Sequence, residues 1–510
     1  MRLADLLGDR IAGPVTGTPV DAEARSNGAD DPDPDVDHIA IDSRVARPGN
    51  LFACVVGAHH DGHDHAADAV RAGAVAVLAE RSPPGVPADV PVIIVPSVRA
   101  ALGPLAACLA GEPSRAIAVV GVTGTNGKTT VTHLLESIGA AAGMRPAVLG
   151  TLGARWRANE RTYGFTTPEA HELQAAFAAM RTDGVDLAAI EVSSHALDQH
   201  RVDGTRFAVV GFTNLSSEHL DLHGDLEAYF DAKARLFSPV FAERAVIALD
   251  DEWGRRMAER ATAAGLDVTT VAVADASGRV TADLVATEIQ ARRAGTSFTL
   301  RSARADLEVA LPLLGRFNVA NALVAAGLAR AVGIDDRTIG IGLAAVAPVP
   351  GRLELVSGAA PVTVVVDYAH TPHALEVVIG ALRTIVGSGR VIVVYGCGGD
   401  RDAAKRPLMG KVVAERADLA VLTSDNPRGE DPEAIAADVL AGLGPADRLP
   451  EVELDRRRAI RRALEAARPG DAVLVAGKGH EAGQTAHGRT VPFDDRVVAR
   501  DLLAELGLSA

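Results

Sequence analysis

A glycine-rich turn at residues 121–131, GVTGTNGKTTV, restricts the possible folds of this 510-residue chain more than any other segment. It follows the run AIAVVGV at 116–122, which is apolar on both faces as in a buried parallel strand. It precedes the amphipathic stretch VTHLLESIGAAAG, which has the spacing of a helix. A strand, a glycine turn and a helix in this order predict an α/β domain that binds phosphate at the start of the helix.

The turn also contains residues suited to a nucleotide. Gly124 and Gly127 allow backbone N–H groups to converge on an anion, Lys128 can reach the β and γ phosphates, and Thr129 can ligate Mg²⁺. Val122 replaces the first glycine of the general pattern G-x-x-x-x-G-K-[ST], so the turn is a variant of that pattern. By itself, such a turn fits kinases, GTPases, motors and ligases equally.

The length predicts about three domains, all of the α/β class. We predict a small N-terminal domain at 1–113, a central domain with a doubly wound parallel sheet at 114–350, and a third domain at 351–510, after the proline-rich segment VAPVPGR. The predicted buried strands, besides the one before the turn, are LFACV at 51–55, AVAVL at 74–78, VIIV at 92–95, LAAIEV at 187–192, FAVVGF at 207–212, AVIAL at 245–249, VTVVVDY at 362–368, VIVVY at 391–395, LAVLTS at 419–424 and AVLVAG at 472–477.

The charge balance narrows the range of partners. Asp and Glu total 66 against 51 for Lys and Arg, and the resulting net charge of −15 argues against nucleic acid and anionic membranes as partners. Three cysteines without metal-ligand spacing, and no long uncharged apolar run, predict a cytoplasmic chain without membrane insertion. The acidic, proline-containing segment at 21–37 is predicted to be a poorly ordered loop.

Eight motifs occur in a fixed order along the chain and include part of the turn. They are GTNGKTT, EVSSHALDQHR at 191–201, TNLSSEHLDLHG at 213–224, AYFDAKARLF at 228–237, GRFNVANALVA at 315–325, VDYAHTP at 366–372, GCGGDRDAAKRPLMG at 396–410 and SDNPRG at 424–429. Together they resemble the Mur ligases. The resemblance runs in register from about residue 37 to the C-terminal region.

The resemblance implies ATP-dependent amide formation. A carboxylate takes the γ-phosphoryl group of ATP, an amine attacks the acyl phosphate, and ADP and phosphate are released. The implied substrates are UDP-N-acetylmuramoyl-L-alanyl-D-glutamate (UDP-MurNAc-dipeptide) and meso-2,6-diaminopimelate, in peptidoglycan precursor synthesis, and ATP and Mg²⁺ are the implied cofactors. Positioning and positive charge are what such phosphoryl transfer requires of a protein.

Catalytic and nucleotide-binding residues also follow from the resemblance. It implies that Lys128, Glu191, His219 and Lys233 are catalytic, and that Thr129, Glu191, His219 and a carbamylated Lys233 hold Mg²⁺. Helical periodicity alone predicts that Lys233 is an exposed lysine. The residues implied to bind ATP are Gly124, Thr125, Asn126, Gly127, Lys128, Thr129, Thr130, Asn321 at the adenine, Arg352 at the phosphates and Asp367 at the ribose.

For the UDP-MurNAc-dipeptide, the resemblance implies contacts in two regions. Those with the uracil nucleotide are Ser43, Ala58, His59 and His60, and those with the dipeptide and diphosphate are Thr166, Thr167, Ser193, Gln199 and Arg201. Residue type alone leaves other possibilities open. Arg201 could be a solvated surface arginine, and the histidines in GAHHDGHDH at 57–65 could bind a metal. Many relatives have Asn where this chain has Phe165, so no polar contact is implied there.

The incoming amino acid is implied to bind in the C-terminal domain, at Arg401, Asp425, Asn426, Pro427, Arg428, Gly477 and Glu481. Arginines and carboxylates together provide the donors and acceptors that a zwitterion needs. The planar guanidinium of Arg428 suits the distal carboxylate of diaminopimelate, which lysine lacks.

Three alternatives remain open from the sequence. The chain could add L-lysine or be another amino-acid-adding relative, such as a folylpolyglutamate synthetase, although the uridine-like first domain disfavours the folate enzyme. It could also be a nucleotide-binding scaffold protein without catalysis, because a fold does not determine a function. Cys397 has no predicted base beside it and is expected to pack as a small residue.

Overall fold

The computed structural model describes the chain except for residues 9–13, 16–17, 20–32, 58–59, 217, 219, 275–279, 304, 359 and 509–510. The chain divides into two compact units. The first unit comprises Met1–Asn214, Glu227–Thr270 and Ala326–Asp335. The second comprises Leu215–Leu226, Val271–Ala325 and Asp336–Ala510.

The N-terminal part of the first unit contains a parallel sheet of four strands in the order β3-β4-β5-β6. Alternate residues of its strands face opposite sides, so Leu51 packs toward helix α3 while Phe52 packs toward helix α2. The elements here are α1 Leu3–Leu7, β1 Pro14–Val15, β2 Thr18–Pro19, β3 His38–Ala40, β4 Asn50–Ala53, α2 Ala66–Arg71, β5 Ala76–Ala79, β6 Val92–Ile94 and α3 Val98–Leu109.

The next part of the chain forms a second, larger sheet. Its elements are β7 Ala118–Thr123, α4 Lys128–Ala141, β8 Pro146–Gly150, β9 Gly153–Trp156, β10 Asn159–Arg161, α5 Ala170–Thr182, β11 Leu187–Glu191, α6 Ser194–Asp198, β12 Val209–Phe212, α7 Leu220–His223, α8 Leu226–Ala234, β13 Arg244–Ala248, α9 Glu252–Ala263 and β14 Asp267–Val273. In the first unit the strand order is β10-β9-β8-β11-β7-β12-β13, and the five strands from β8 to β13 are parallel. The chain leaves β7 first toward β8 and later toward β12. The loop after β7 therefore lies at the switch point where doubly wound sheets bind ligands.

The next part of the chain, in the second unit, contains mainly antiparallel strands. Val271–Val273 pair in parallel with β15, and β15, β16 and β17 then pair antiparallel in chain order. The elements of this part are β15 Leu284–Arg292, β16 Gly295–Ser302, β17 Asp306–Leu311, α10 Arg316–Ala331 and α11 Asp336–Ala344.

The C-terminal part of the second unit contains a six-stranded sheet in the order β18-β19-β23-β20-β21-β22, parallel except for β18. Val365 packs on one face with helices α12, α13 and α14, and Val364 and Val366 pack on the other face with α15 and α16. The elements are β18 Glu354–Leu355, β19 Thr363–Asp367, α12 Pro372–Val386, β20 Val391–Tyr395, α13 Lys405–Arg416, β21 Leu419–Leu422, α14 Pro432–Leu440, β22 Glu451–Val452, α15 Arg456–Ala466, β23 Ala472–Ala476, β24 Gly483–Ala486, β25 Arg489–Pro492 and α16 Asp495–Glu505.

The α/β class and the central parallel sheet are confirmed, and each predicted strand overlaps an observed one. The antiparallel strands β15–β17 had no counterpart in the prediction, because their mixed polar sequence lacks an apolar run. Most of the acidic segment predicted to be poorly ordered lies outside the described residues. None of the helices in the described part of the chain is both long and apolar enough to span a membrane.

Candidate active site

The phosphate loop connects β7 to α4 and has the backbone geometry predicted for it. Gly124 has φ 145° and Gly127 has φ 90°, conformations that favour glycine. A Cβ atom on Gly124 would also collide with the hydroxyl of Thr213. Helix α4 begins at Lys128, so the loop brings backbone N–H groups and the positive end of the helix dipole together.

Lys128 folds back over this loop. Its Nζ atom donates to the carbonyl oxygens of Gly124 and Thr125, at 2.8 Å in both cases. Thr129 and Thr130 are buried in the first turn of α4. The ammonium group therefore lies at the loop that is predicted to bind the phosphates.

Two residues that follow β12 support the phosphate loop from the neighbouring strand. Thr213 Oγ1 donates to the Asn126 carbonyl at 2.6 Å, and the Asn126 N–H donates to Asn214 Oδ1 at 3.0 Å. The Thr125 N–H donates to the Asn214 carbonyl at 2.9 Å. Thr213 and Asn214 open the motif at 213–224 but were not predicted to be site residues.

Lys233 lies against the same loop and is only 1% exposed. Its Nζ atom donates to the Gly124 carbonyl at 3.1 Å and lies 4.3 Å from the centre of the Tyr229 ring. The expectation of an exposed lysine is wrong, because the face of α8 that bears Lys233 packs into the protein rather than toward solvent. Tyr229, whose hydroxyl accepts from Thr125 Oγ1 at 3.4 Å, was also missed by the sequence analysis.

Glu191 ends strand β11, directly beside β7. It pairs in register with Val122 and is 2% exposed. Its carboxylate accepts from the Thr151 N–H at 2.9 Å and from the Thr151 hydroxyl at 3.2 Å. An ionised carboxylate has about four lone-pair sites, so two hydrogen bonds leave capacity for a cation.

The donor set fits Mg²⁺ in part. Hydroxyl and carboxylate oxygens such as those of Thr129 and Glu191 are the ligands that this hard cation prefers, and it usually needs only one or two carboxylates besides phosphate oxygens. Lys233 would be a ligand only as a carbamate, because an ammonium group has no lone pair. His219 lies outside the described residues. The part of the chain that the structure covers contains no group of three or more His, Cys, Asp or Glu side chains that could hold a metal by themselves.

Thr166, Thr167 and Ser193 lie next to Glu191. Thr167 Oγ1 donates to the Glu191 carbonyl at 2.8 Å and accepts from the Ser193 N–H at 3.1 Å. The hydroxyl groups of Thr166 and Thr151 are 3.2 Å apart. Ser193 caps α6 by accepting from the Ala196 N–H. The structure thus brings these predicted contacts of the dipeptide to the edge of the sheet that bears Glu191.

Arg201 is buried, 5% exposed, so the alternative of a solvated surface arginine is wrong. Its Nη2 atom is 3.0 Å from Glu169 and also donates to Gln199 Oε1 at 3.1 Å, and the centre of the Phe165 ring lies 3.9 Å from the guanidinium carbon. Removal from water lowers the pKa of Arg201, and the carboxylate of Glu169 opposes that effect. Glu169 lies two residues after Thr167 in the motif FTTPE but was not predicted to be a site residue.

A cleft of about 750 Å³ lies beside these residues in the first unit. Phe165 and Glu169 line it on one side, and the segment 37–50 on the other. Ser43 lies in that segment, in a single helical turn that follows Asp42. His60 is exposed, and Ala58 and His59 lie outside the described residues.

His63, in the histidine-rich segment, has a structural role. Its Nδ1 atom is 2.6 Å from Asp61, and its Nε2 atom accepts from the Glu80 N–H at 3.0 Å. Both ring nitrogens of the buried His63 are therefore used within the protein and neither can ligate a metal.

The predicted contacts with adenosine lie in the second unit. Asp367 ends β19 and accepts from the Leu353 N–H at 2.6 Å and the Ala369 N–H at 2.7 Å. Burial raises the pKa of Asp367, while Arg352 opposes that effect. The Arg352 guanidinium lies 4.7 Å from the Tyr368 ring, and Asn321 donates to Asn318 at 3.0 Å inside α10.

The predicted amino-acid site lies at the carboxyl ends of β20, β21 and β23. Asn426 Nδ2 donates to Glu481 at 2.6 Å, and the buried Lys478, which the sequence analysis missed, lies 3.4 Å from both residues. Asp425 Oδ2 lies so close to Gly477 that a side chain there would collide with it. Pro427 follows Asn426, and Arg401 is exposed in the loop after β20. Most of the predicted residues are thus brought together.

Arg428 combines a possible binding role with a structural one. It has φ 54°, a conformation uncommon for residues other than glycine, and its Nη1 atom donates to the Gly399 carbonyl at 2.7 Å. Its backbone N–H donates to the Thr485 carbonyl. The side chain therefore braces the loop that follows β20 with one of its five N–H groups.

A fully buried ion pair contacts the backbone next to this predicted site. Arg456 donates to both carboxylate oxygens of Asp495, at 2.8 and 2.7 Å, and to the carbonyls of Ser424 and Ala476. Those two carbonyls immediately precede Asp425 and Gly477. The pair thus joins the two loops that contain the predicted amino-acid ligands.

Cys397, near these loops, is buried with its thiol 3.6 Å from the Met409 sulfur. Burial raises the pKa of the Cys397 thiol to about 12, so the thiol remains protonated at neutral pH. This is the environment of a packing residue.

Comparisons with known proteins match most of the chain. Family models match at residues 35–108 (Mur ligase family, catalytic domain), 122–329 (Mur ligase middle domain) and 351–479 (Mur ligase, glutamate ligase domain). A UDP-N-acetylmuramoyl-L-alanyl-D-glutamate–2,6-diaminopimelate ligase from Gloeobacter violaceus is 45% identical over 476 residues, which are 93% of this chain and 95% of the relative. The ligase of the same name from Streptomyces avermitilis is 44% identical over 502 residues, 96% of this chain and 97% of the relative.

Solved structures give the same match. The structure of a UDP-N-acetylmuramoyl-L-alanyl-D-glutamate–2,6-diaminopimelate ligase is similar with a TM-score of 0.67 at 35% identity, and the match covers 92% of this chain and 95% of that one. MurF from Acinetobacter baumannii is similar in fold, with a TM-score of 0.62 at 20% identity over 92% of this chain and 93% of that one.

Proposed function

Because the chain belongs to the Mur ligase family and has its three-domain α/β fold, we propose that it joins meso-2,6-diaminopimelate to UDP-MurNAc-dipeptide with the hydrolysis of ATP to ADP and phosphate. The relatives that share more than 40% of its sequence over nearly its whole length bear the name of this activity. The domain limits 113/114 and 350/351 belong to the proposal, and the family models that end at 108 and begin at 122 and 351 support them.

The observation that supports the reaction best is the convergence of charged groups on one loop. Lys128 and Lys233 both donate to the Gly124 carbonyl, and Glu191 lies one strand away at the same sheet edge. Phosphoryl transfer between anions depends on such preorganised charge. A scaffold protein without catalysis would have no need for a buried lysine beside its phosphate loop.

In the first step, the loop from Gly124 to Thr130 holds the phosphates of ATP, and Lys128 neutralises charge on the transferred group. The carboxylate of the dipeptide attacks the γ-phosphorus, and ADP leaves. Mg²⁺, held by Thr129, Glu191 and His219, would supply further positive charge to the phosphate oxygens. The buried position of Glu191 and its two hydrogen bonds to Thr151 keep its carboxylate oriented.

The modification of Lys233 belongs to the same proposal. Its neutral amine would attack CO₂ and release a proton, leaving a carbamate. The product is an anion with two oxygens, which can act as a ligand where an ammonium group cannot.

In the second step, the amine of diaminopimelate attacks the acyl phosphate, and the tetrahedral intermediate collapses to the amide and phosphate. The acceptor is held by Thr166, Thr167, Ser193, Gln199 and Arg201. The amino acid is held by Arg401, Asp425, Asn426, Arg428 and Glu481. The adenosine part of ATP is held by Asn321, Arg352 and Asp367.

Because ATP is a substrate and all three cysteines are free thiols, we place the reaction in the cytoplasm.

Phosphate release tests this function directly. Purified protein is incubated with ATP, Mg²⁺ and UDP-MurNAc-dipeptide, with meso-diaminopimelate, L-lysine or no amino acid. We expect release that depends on both the acceptor and diaminopimelate. The Lys128→Ala variant should lose it by at least about 100-fold at an unchanged melting temperature, whereas Lys411→Ala, at an exposed position of α13, should keep it. Release without dependence on the amino acid would contradict the proposal.

A further inference from the structure

Arg99, outside all the motifs, forms a cluster with Glu169 and Arg201 in the first unit. It lies in the first turn of α3, with its side chain 22% exposed. Its Nη1 atom is 3.6 Å from one oxygen of Glu169, and Arg201 is 3.0 Å from the other. Two guanidinium groups thus share one carboxylate.

The hydrogen bonds of this cluster are incomplete. Arg99 Nη1 and Arg201 Nε are both buried, and neither has a hydrogen-bond acceptor within the described structure. The distance of 3.6 Å from Arg99 to Glu169 is too long for a hydrogen bond. Glu172, also close to Arg201, instead accepts the backbone N–H of Glu169 at 3.2 Å. Buried charged donors without acceptors are rare in proteins, and they indicate a missing acceptor.

The cluster borders the cleft described above. Glu169 and Phe165 line that cleft, and the Phe165 ring covers the face of the Arg201 guanidinium. The N–H groups of a guanidinium lie in its plane, so stacking on its face leaves the edge for an oxyanion. The opposite side of the cleft is the segment that contains Ser43, where the uracil nucleotide is proposed to bind.

We propose that Arg99 binds the diphosphate of the acceptor together with Arg201. Arg99 comes from the N-terminal part of the chain, like Ser43, and Arg201 comes from the part that holds Thr167 and Glu191. The diphosphate joins the uridine to the muramoyl dipeptide, so it is the anionic group expected between those two sets of residues. A phosphate oxygen is also the acceptor that two converging arginines suit best. This inference rests on the proposed function.

A purely structural role of Arg99, holding α3 to α5, can be separated from binding. Arg181 joins the same two helices at their other end, where its guanidinium donates to the carbonyls of Gly111 and Ala110 at 2.8 and 3.2 Å. Arg181→Ala is therefore the matched control for the loss of a contact between α3 and α5 alone.

Calorimetric binding provides the test, with UDP-MurNAc-dipeptide, UDP, and MurNAc-dipeptide without the nucleotide. We expect Arg99→Ala to weaken binding of the two diphosphate ligands by roughly 10- to 100-fold, the effect of one lost charged hydrogen bond. Its affinity for MurNAc-dipeptide, its KM for ATP and for diaminopimelate, and its melting temperature should match those of Arg181→Ala. Arg99→Lys, which keeps the charge but not the fork, should recover part of the affinity.

Unchanged affinity for UDP and UDP-MurNAc-dipeptide in Arg99→Ala would overturn the proposal, and so would an equal loss for MurNAc-dipeptide. The latter result would place the dipeptide carboxylates at Arg99 instead. Should Arg99→Ala not fold, an Arg99→Lys variant with wild-type affinity for all three ligands would have the same consequence. Failure of the proposed function itself is distinct, because the wild-type protein would then not bind UDP-MurNAc-dipeptide at all.

Discussion

At the scale of single residues, three of the ionisable groups proposed for catalysis are oriented by contacts within the protein, and two of them, Glu191 and Lys233, are buried. Lys128 and Lys233 share the Gly124 carbonyl, and Glu191 is held by Thr151. Groups oriented in this way do not have to reorganise during phosphoryl transfer, which is the main source of electrostatic catalysis. Small changes in these side chains should therefore affect the rate more than the stability.

Lys233 offers a test in which charge and chemistry are separated. Arg keeps a positive charge and cannot be carbamylated, so Lys233→Arg and Lys233→Ala should both lose ligation by at least about 100-fold. Labelled bicarbonate should give a carbamate signal in the NMR spectrum of the wild-type protein at neutral pH, and neither variant should show it. An unmodified Lys233 in active enzyme, together with full activity of Lys233→Ala, would contradict the carbamate.

Arg428 is expected to set the choice of amino acid. Lysine would leave its guanidinium without the distal carboxylate of diaminopimelate, and the loss of that partner costs about 2 to 5 kcal/mol in a desolvated site. This cost corresponds to a preference for diaminopimelate over lysine of roughly 30-fold to several thousand-fold in kcat/KM. The Arg428→Ala variant should lose most of this preference. Because Arg428 also braces Gly399, the ratio of kcat/KM for the two amino acids is the decisive measurement, rather than the absolute rate. A variant that retains the ratio would show that Arg428 only supports its loop.

At the scale of elements, many of the proposed site residues lie on loops at the carboxyl ends of parallel strands, and side-chain contacts join these loops. Arg456 bridges the loops after β21 and β23. The loop after β23 also contains His480, whose ring centre lies 5.2 Å from that of Tyr368, after β19. Both contacts link loops that are distant in sequence but adjacent at one sheet edge.

His480 should make the stability of this part of the molecule depend on pH. Burial, and next the charge of Arg352, lower the pKa of His480 to about 4 from its ordinary value of 6.5. The unfolded chain therefore binds the proton first, and the stabilisation present above pH 6.5 is lost as the pH falls toward 4. Between pH 7.5 and pH 5.0, the free energy of unfolding should fall by about 2 kcal/mol more in wild type than in His480→Gln.

Chemical denaturation at the two pH values measures this difference, and His373→Gln, at an exposed position of α12, is the control. The control should keep the wild-type pH dependence. An identical dependence in wild type and His480→Gln would show that the pKa of His480 is the same in the folded and the unfolded chain.

At the scale of the whole molecule, the two compact units contain different parts of the proposed chemistry. The residues proposed to bind the acceptor, from Ser43 to Arg201, belong to the first unit, and those proposed to bind the amino acid, from Arg401 to Glu481, belong to the second. The first unit contains the four-stranded sheet and a hydrophobic cluster of its own, and the second unit contains the six-stranded sheet and another cluster. Each of the two ligands should therefore stabilise its own unit.

Hydrogen exchange followed by mass spectrometry tests this division. UDP-MurNAc-dipeptide alone should slow exchange in peptides from 160–205, and diaminopimelate alone in peptides from 396–430 and 476–486. Strand β25, Arg489–Pro492, lies outside all these segments and provides an internal reference. Protection of 396–430 by the acceptor alone would show that the two sites are coupled rather than separate.

The sequence alone determined the α/β class, the phosphate loop and the positions of the buried strands, because parallel strands covered on both faces are unbroken apolar runs. It did not reveal strands β15–β17, whose exposed faces interrupt that pattern. Residue type and local periodicity also gave a wrong prediction for the exposure of Lys233 and did not decide whether Arg201 is buried. The reason is that they cannot show which side of a helix or loop is covered by a distant segment.

Tertiary structure decided which side chains meet. Thr151 reaches Glu191 across 40 positions, and Arg99 and Arg201 reach Glu169 from opposite directions along the chain. These contacts exist because parallel strands place their carboxyl ends at one edge and bring loops together regardless of separation in sequence. Burial then makes each contact matter, since a charged or polar group removed from water must be satisfied by a neighbour or by a ligand.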